Sequence, residues 1–146
     1  MTSIDRKKAT EVLMASAVDS PTEASLVSDA QRRIIWCNRD FTEMTGYGME
    51  ELFGRSCDIL QGPDTDPKTV EEIRRCLNAG LTYHGSLLNY RRDGTTFWNH
   101  LTINPVRDSH GVLVNFVSVQ RDVTEKVERE RAFLSIVSSA GVSEAE

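Results

Sequence analysis

Cys57 stands in the stretch GRSCDILQGPDTD, Gly54 to Asp66, between two glycines and just ahead of a proline turn. A thiol does chemistry as a thiolate nucleophile, a metal ligand or half of a disulfide, and each role needs a neighbour. The other cysteines, Cys37 and Cys76, form no C-x-x-C with it. The histidines His84, His100 and His110 neither pair at helical spacing nor follow a Cys-rich stretch. Both patterns argue against a disulfide framework and a zinc site. No cation or histidine adjoins Cys57, and Asp58 disfavours its thiolate, so a resting nucleophile is poorly supported. The simplest reading of a free cysteine is a small buried filler. Cys37, after a strand-like run, and Cys76, one turn past Ile73, take that reading.

Three carboxamides suggest more. In the run Thr95–Val106, strict alternation puts Asn99 on the face of Phe97, Leu101 and Ile103. In GVLVNFVSVQ, Gln120 shares a face with Val114, Phe116 and Ser118, and in the preceding strand Asn89 shares one with Leu87. A buried amide without partners costs about 1–3 kcal/mol. Either these amides sit at sheet ends, bonded to backbone or water, or something in the interior satisfies them. Each one both donates and accepts, which suits a flat heterocycle with alternating donors and acceptors along one edge. Arg74 lies on the Val70, Ile73, Leu77 stripe of a helix. There it either snorkels to the rim or holds an anion at a pocket mouth. A planar polar ring with an anionic tail describes a flavin nucleotide.

The elements that position these residues follow from local signals. TSIDRKKATEVLMASAVDSP has helical spacing and is ended by Pro21. ASLVSD and RIIWC read as short strands, and NRDFTEMTG and MEELFG as helical pieces stopped by Gly46 and Gly54. DPKTVEEIRRCLNAG is a strong helix, with Asp66 as N-cap, Pro67 at the first position and Gly80 at the C-terminal end. Strands Tyr83–Tyr90 and Thr95–Val106 flank the Asp-Gly turn RRDG, GVLVNFVSVQ is the last strand, and a helix begins near Val123. The order β-β-α-α-α-β-β-β predicts an α+β fold, an antiparallel sheet with small helices on one face and helical extensions at both ends. The expected division is 1–22, 23–121 and 122–146.

Composition narrows the class. Of the 146 residues, 39% are hydrophobic and 27% charged, and the formal net charge is −5, an ordinary globular balance without a basic face for nucleic acid. No apolar run approaches the roughly 18 residues of a membrane span, and the N-terminus does not read as a secretory signal. The expected location is the cytoplasm, with neither nucleic acid nor membrane as a partner.

GRSCDILQGPDTD, LNYRRDGTTFWN and FVSVQRDVTE, in this order around the Arg74 helix, resemble a LOV (light-oxygen-voltage) domain, a family of blue-light sensors within the PAS superfamily. The match runs from about Leu26 to Gln120, and the chain is similar to bacterial short LOV proteins. The resemblance implies a five-stranded antiparallel PAS sheet. It also implies a bound flavin whose C4a carbon bonds reversibly to Cys57 after blue light is absorbed. Asn89 and Asn99 then hold the ring's polar edge, and Gln120 lies near N5 and O4. Gln61 and Arg74 bind the tail. Leu60, Val70, Ile73, Leu77, Leu101, Ile103 and Phe116 pack the ring, and Leu26 and Ser28 approach from the first strand.

Three departures from the family pattern are Ser56 for asparagine, Asp58 for arginine and Ser118 for glycine. Ser56 is too short for one bond to the tail, Asp58 leaves Arg74 to hold the phosphate alone, and Ser118 alters the ring's surroundings. FMN is favoured, with riboflavin or FAD as alternatives. The protein is then a receptor and not an enzyme. Light makes N5 a donor, Gln120 flips its amide, and the last strand passes the change to the C-terminal helix. Val123, Val127, Leu134 and Val137 on that helix suit either a fold-back onto the sheet or a homodimer seam interrupted by Glu130. Output runs through that dimer or a separate signalling protein. The rival readings are a flavin-binding PAS redox or ligand sensor without photochemistry, and a thiol enzyme with His84 or His100 as base.

Overall fold

The computed structural model describes residues 23–140, and the expected helix within 1–22 lies outside them. The chain runs β1 (Ala24–Asp29), β2 (Ile34–Cys37), α1 (Arg39–Thr45), α2 (Met49–Leu52) and a 3-10 turn (Cys57–Leu60). It continues α3 (Pro67–Asn78), β3 (Tyr83–Tyr90), β4 (Thr96–Arg107), β5 (Leu113–Asp122) and α4 (Thr124–Ser139). The five strands form one antiparallel sheet in the order β2-β1-β5-β4-β3. This is the expected α+β architecture.

β1 is buried along its whole length because both of its faces are covered. One face packs Ala24 and Leu26 against Ile34, Phe41, Leu52 and Leu60, and the other packs Val27 against Val106 and Val117. The helices begin and end where the sequence signals say. Asn38 caps α1 through its side chain, which accepts from Phe41 N, and Gly46 ends it in the left-handed region at φ 81°. Asp66 caps α3 by accepting from Lys68 N, ahead of Pro67.

Three strand details differ from expectation, the first being that β4 runs Thr96–Arg107, one residue past the expected Thr95–Val106. β5 is displaced two residues toward the C-terminus, to Leu113–Asp122. Its pairing with β4 also shifts at Val106/Arg107, where Val106 faces Asn115 and Arg107 faces Leu113. The extra residue is Val114, a bulge that reverses the alternation. Val114 therefore packs with Val27, Val106 and Val117 on the outer face instead of sharing the face of Phe116.

α4 leaves the sheet through paired bonds, Val123 N to Trp98 O and Trp98 N to Thr124 Oγ1, both 2.8 Å. The Arg131 guanidinium lies 5.0 Å from the centre of the Trp98 ring. Val123, Val127 and Val137 are half-buried, whereas Phe133, Leu134 and Ile136 are exposed.

Candidate functional site

The inner face of the sheet, the 3-10 turn and α3 enclose a cavity of about 300 Å³, at the small end of cofactor-sized sites. Its placement follows from three local devices. The Gly62–Thr65 turn is pinned to β3: Thr65 Oγ1 donates to Leu88 O at 2.7 Å, and Asp64 N donates to Tyr90 Oη at 2.9 Å. Gly62 is required there, since a Cβ would run into the Tyr90 ring. α3 then turns Val70, Ile73 and Leu77 toward the sheet, where they join Leu87, Leu101 and Phe116. Finally, alternation along β3, β4 and β5 aims Asn89, Leu101, Ser118 and Gln120 inward.

Of the residues singled out from sequence, Leu26, Ser28, Ser56, Cys57, Leu60, Gln61, Val70, Ile73, Arg74 and Leu77 all line this cavity. So do Asn89, Leu101, Ile103, Phe116, Ser118 and Gln120. Asn99 does not line it. It lies behind the wall, fully buried, and organises the other two amides. Its Nδ2 donates to Asn89 Oδ1 at 2.9 Å and to Gln120 Oε1 at 2.7 Å. Gln120 Nε2 donates in turn to Ser118 Oγ at 3.1 Å. Neither alternative for these amides holds fully, because they bond chiefly to one another. The network is still incomplete, since Asn99 Oδ1 is buried without a hydrogen-bond partner among the described residues.

Cys57 opens the 3-10 turn. Its thiol points at the Arg32 carbonyl, 3.8 Å away. Burial first, and Asp58 second, push the thiol up to about 12, with Arg32 opposing. At neutral pH Cys57 is a protonated thiol. His84 and His100 cannot act as its base: both lie on the outer face, bonded across the sheet to Thr102 Oγ1 at 3.2 Å and Ser86 Oγ at 3.0 Å. The thiol-enzyme reading has no geometry. Cys37 is buried beside Thr42, and the Cys76 thiol donates to Thr82 O, both in packing positions.

The charged rim also departs from expectation. Arg74 lines the cavity but is largely exposed and bound to Glu71 at 2.8 Å. Gln31, Arg32, Ile34, Phe41 and Ile59 line the cavity as well and were not singled out. For Ile34 and Phe41 the signal was present, an apolar residue in a strand-like run and one on the inner side of a capped helix. Gln31 and Arg32 sit in a hairpin turn, where periodicity carries no information.

A flavin fits these residues. Aliphatic side chains from α3 and β4 can sandwich a flat ring, and the two cavity-lining amides, Asn89 and Gln120, offer both donors and acceptors. No cluster of His, Cys, Asp and Glu among the described residues could hold a metal ion, and no described helix is long and apolar enough to cross a membrane.

Comparison with known proteins agrees. A PAS domain family model matches residues 22–125. Phototropin-2 of Oryza sativa subsp. japonica is 42% identical over 118 residues, covering 79% of this chain and 13% of its own. The blue-light photoreceptor of Listeria monocytogenes is 40% identical over 115 residues, 77% of this chain and 45% of its own. The chain thus spans less than half the length of these curated relatives. Among solved structures, the light-state LOV domain of Aureochrome1 is 39% identical with a TM-score of 0.71, covering 78% of this chain and 91% of that one. A LOV structure from work on a flavin analogue is 38% identical with a TM-score of 0.73, covering 87% and 95%. With the five-stranded sheet, the amide-lined cavity and Cys57 in its turn, these matches make the chain a member of the LOV family of PAS domains.

Proposed function

We propose that this protein is a blue-light receptor that binds a flavin, with FMN favoured over riboflavin and FAD, in the cavity between the sheet and α3. The observation that carries the reading is the convergence of a protonated Cys57 thiol and two inward amides, Asn89 and Gln120, both held by Asn99, on one cavity. Asn89 and Gln120 take the ring's polar edge, with Asn99 orienting both. Leu60, Leu101 and Ile103 pack its faces, and Gln61 and Arg74 hold the tail. When bound, the flavin supplies absorption of blue light and a ring carbon, C4a, open to reversible addition of a thiol. Cys57 provides that thiol. Cys57 would give up its proton on bonding to the ring and regain it on release, so that no substrate turns over. A thiol held neutral in the dark suits this role, because light and not a standing thiolate provides the reactivity.

Gln120 would answer a ring nitrogen turned from acceptor to donor by exchanging its amide nitrogen for its oxygen, which would disturb its bonds to Asn99 and Ser118. β5 carries the change to Asp122 and so to the start of α4. Residues 23–121 are the sensing unit and 122–146 the output segment. The exposed Phe133, Leu134 and Ile136 support a homodimer through α4 whose affinity changes with light, acting as a cytoplasmic receptor and not as an enzyme.

One experiment tests the reading. The purified full chain is illuminated at blue wavelengths while absorption and light scattering are recorded. The expected result is a yellow protein that bleaches and recovers in darkness, with a change in mass on illumination, whereas Cys57→Ala stays yellow throughout. A colourless protein, or bleaching that survives loss of the thiol, refutes the photochemistry, and one mass in dark and light refutes the dimer switch.

A further inference from the structure

Six described residues have positive φ. Five are glycines, and the sixth is Arg32 at φ 68°. Its turn is tightly built: Arg32 N donates to Asp29 O at 3.0 Å, Asp29 N to Arg33 O at 2.9 Å, and the Asp29 carboxylate accepts from Gln31 N and Arg33 N. Glycine would serve the left-handed position without cost, whereas an L side chain there is strained. A residue held against its backbone preference points to work done by its side chain.

That side chain lies at the mouth of the flavin cavity, which Arg32 lines together with Asp58 and Arg74. It crosses from the β1–β2 turn to α3, where its Nη1 donates to Asn78 Oδ1 at 2.9 Å, one helical turn beyond Arg74. Of the other arginines nearby, Arg33 pairs with Asp29, Arg74 and Arg75 divide the one carboxylate of Glu71, and Arg107 is turned to the backbone carbonyls of Gly80 and Gly111. Arg32 is bound by a neutral amide and makes no ion pair with a carboxylate among the described residues.

We infer that Arg32 is the second cation of the tail site, restoring from the β1–β2 turn the positive charge that Asp58 removes, so that the cavity selects a flavin ending in a phosphate over one ending in a hydroxyl. A guanidinium steered by Asn78 keeps its remaining N–H groups for a phosphate oxygen. Arg74, half neutralised by Glu71, does not hold the phosphate alone. The inference rests on the flavin reading above.

The test equilibrates the full chain with equimolar FMN and riboflavin, then releases and separates the bound flavin. The wild-type protein is expected to favour FMN. Arg32→Gly, which also relieves the left-handed strain, should keep riboflavin binding and a thermal midpoint at or above that of wild type. Its FMN-to-riboflavin ratio should fall on the order of tenfold, and Arg32→Lys should recover part of the preference. An FMN-to-riboflavin ratio in Arg32→Gly within about twofold of wild type, or equal loss of both flavins that lysine does not repair, overturns the assignment of Arg32 while leaving the flavin reading in place. A wild-type chain that takes up neither flavin overturns both.

Discussion

The sheet wall of the cavity buries its polar groups almost completely and bonds them to one another: Asn99, Asn89 and Gln120 are at most 4% exposed. The opposite wall keeps its charges at the rim, where Arg32, Asp58 and Arg74 meet solvent and Arg74 shares itself with a carboxylate. The difference lies in what water can replace. A hydrogen bond broken inside the sheet has no substitute, so the geometry there is strict. A contact broken at the rim is rehydrated, so residue types can change while the net charge is made up from elsewhere. The sheet wall therefore controls the fold and the ring's orientation, and the rim controls which tail is accepted.

The sharpest way to break this contrast is Asn99→Leu. It leaves Asn89 Oδ1 and Gln120 Oε1 without their donor in a buried setting. Each orphaned acceptor costs about 1–3 kcal/mol, so unfolding in urea is expected about 2–4 kcal/mol sooner. A loss below about 1 kcal/mol would mean that the network relaxes as easily as the rim, and the two walls would not differ in kind.

The same contrast governs what could be read before the structure. The inward amides were legible because strand alternation is local and the burial penalty makes it binding. Yet alternation could not reveal that Asn99 stands behind the others, since depth depends on which neighbouring side chains fill the space. Nor could it foresee the bulge at Val114, because pairing register is set by the partner strand. The helix bounds and the turn at Gly62 carried explicit caps and breakers. Arg32 carried none: a turn written DAQRR contains no glycine to mark its left-handed residue, and only the folded backbone exposes the anomaly.

Cys57 belongs to the loop wall in sequence but to the interior in its chemistry, and pH probes that boundary. Burial raises its folded value to about 12, above the value of 9.0 for an unperturbed thiol. The unfolded thiol ionises above pH 9 while the folded one stays protonated, so its contribution is fully present below pH 9 and is lost as pH rises toward 12. Unfolding free energy should fall more steeply in wild type than in Cys57→Ala, by on the order of 1 kcal/mol for each pH unit above 9. The buried Cys37 is common to both proteins and cancels in the difference. Parallel slopes would place the thiol in contact with solvent, on the rim side of the comparison.

The smallest expected effect sharpens the rim itself. Glu71 accepts from Arg74 at 2.8 Å and lies 3.7 Å from Arg75, with both arginines largely exposed. Such a pair contributes little to folding, so Glu71→Gln should change the unfolding free energy by less than about 0.5 kcal/mol. Removing the carboxylate frees the Arg74 charge beside the cavity, however, and the flavin phosphate should feel it. FMN binding is expected to tighten about two- to fivefold at low salt while riboflavin binding stays unchanged, and the gain should fade as salt screens the exposed charges. If both flavins respond alike, Glu71 acts through the shape of α3 and not through charge. If neither responds, Arg74 plays no part in the tail site and Arg32 carries the phosphate without it.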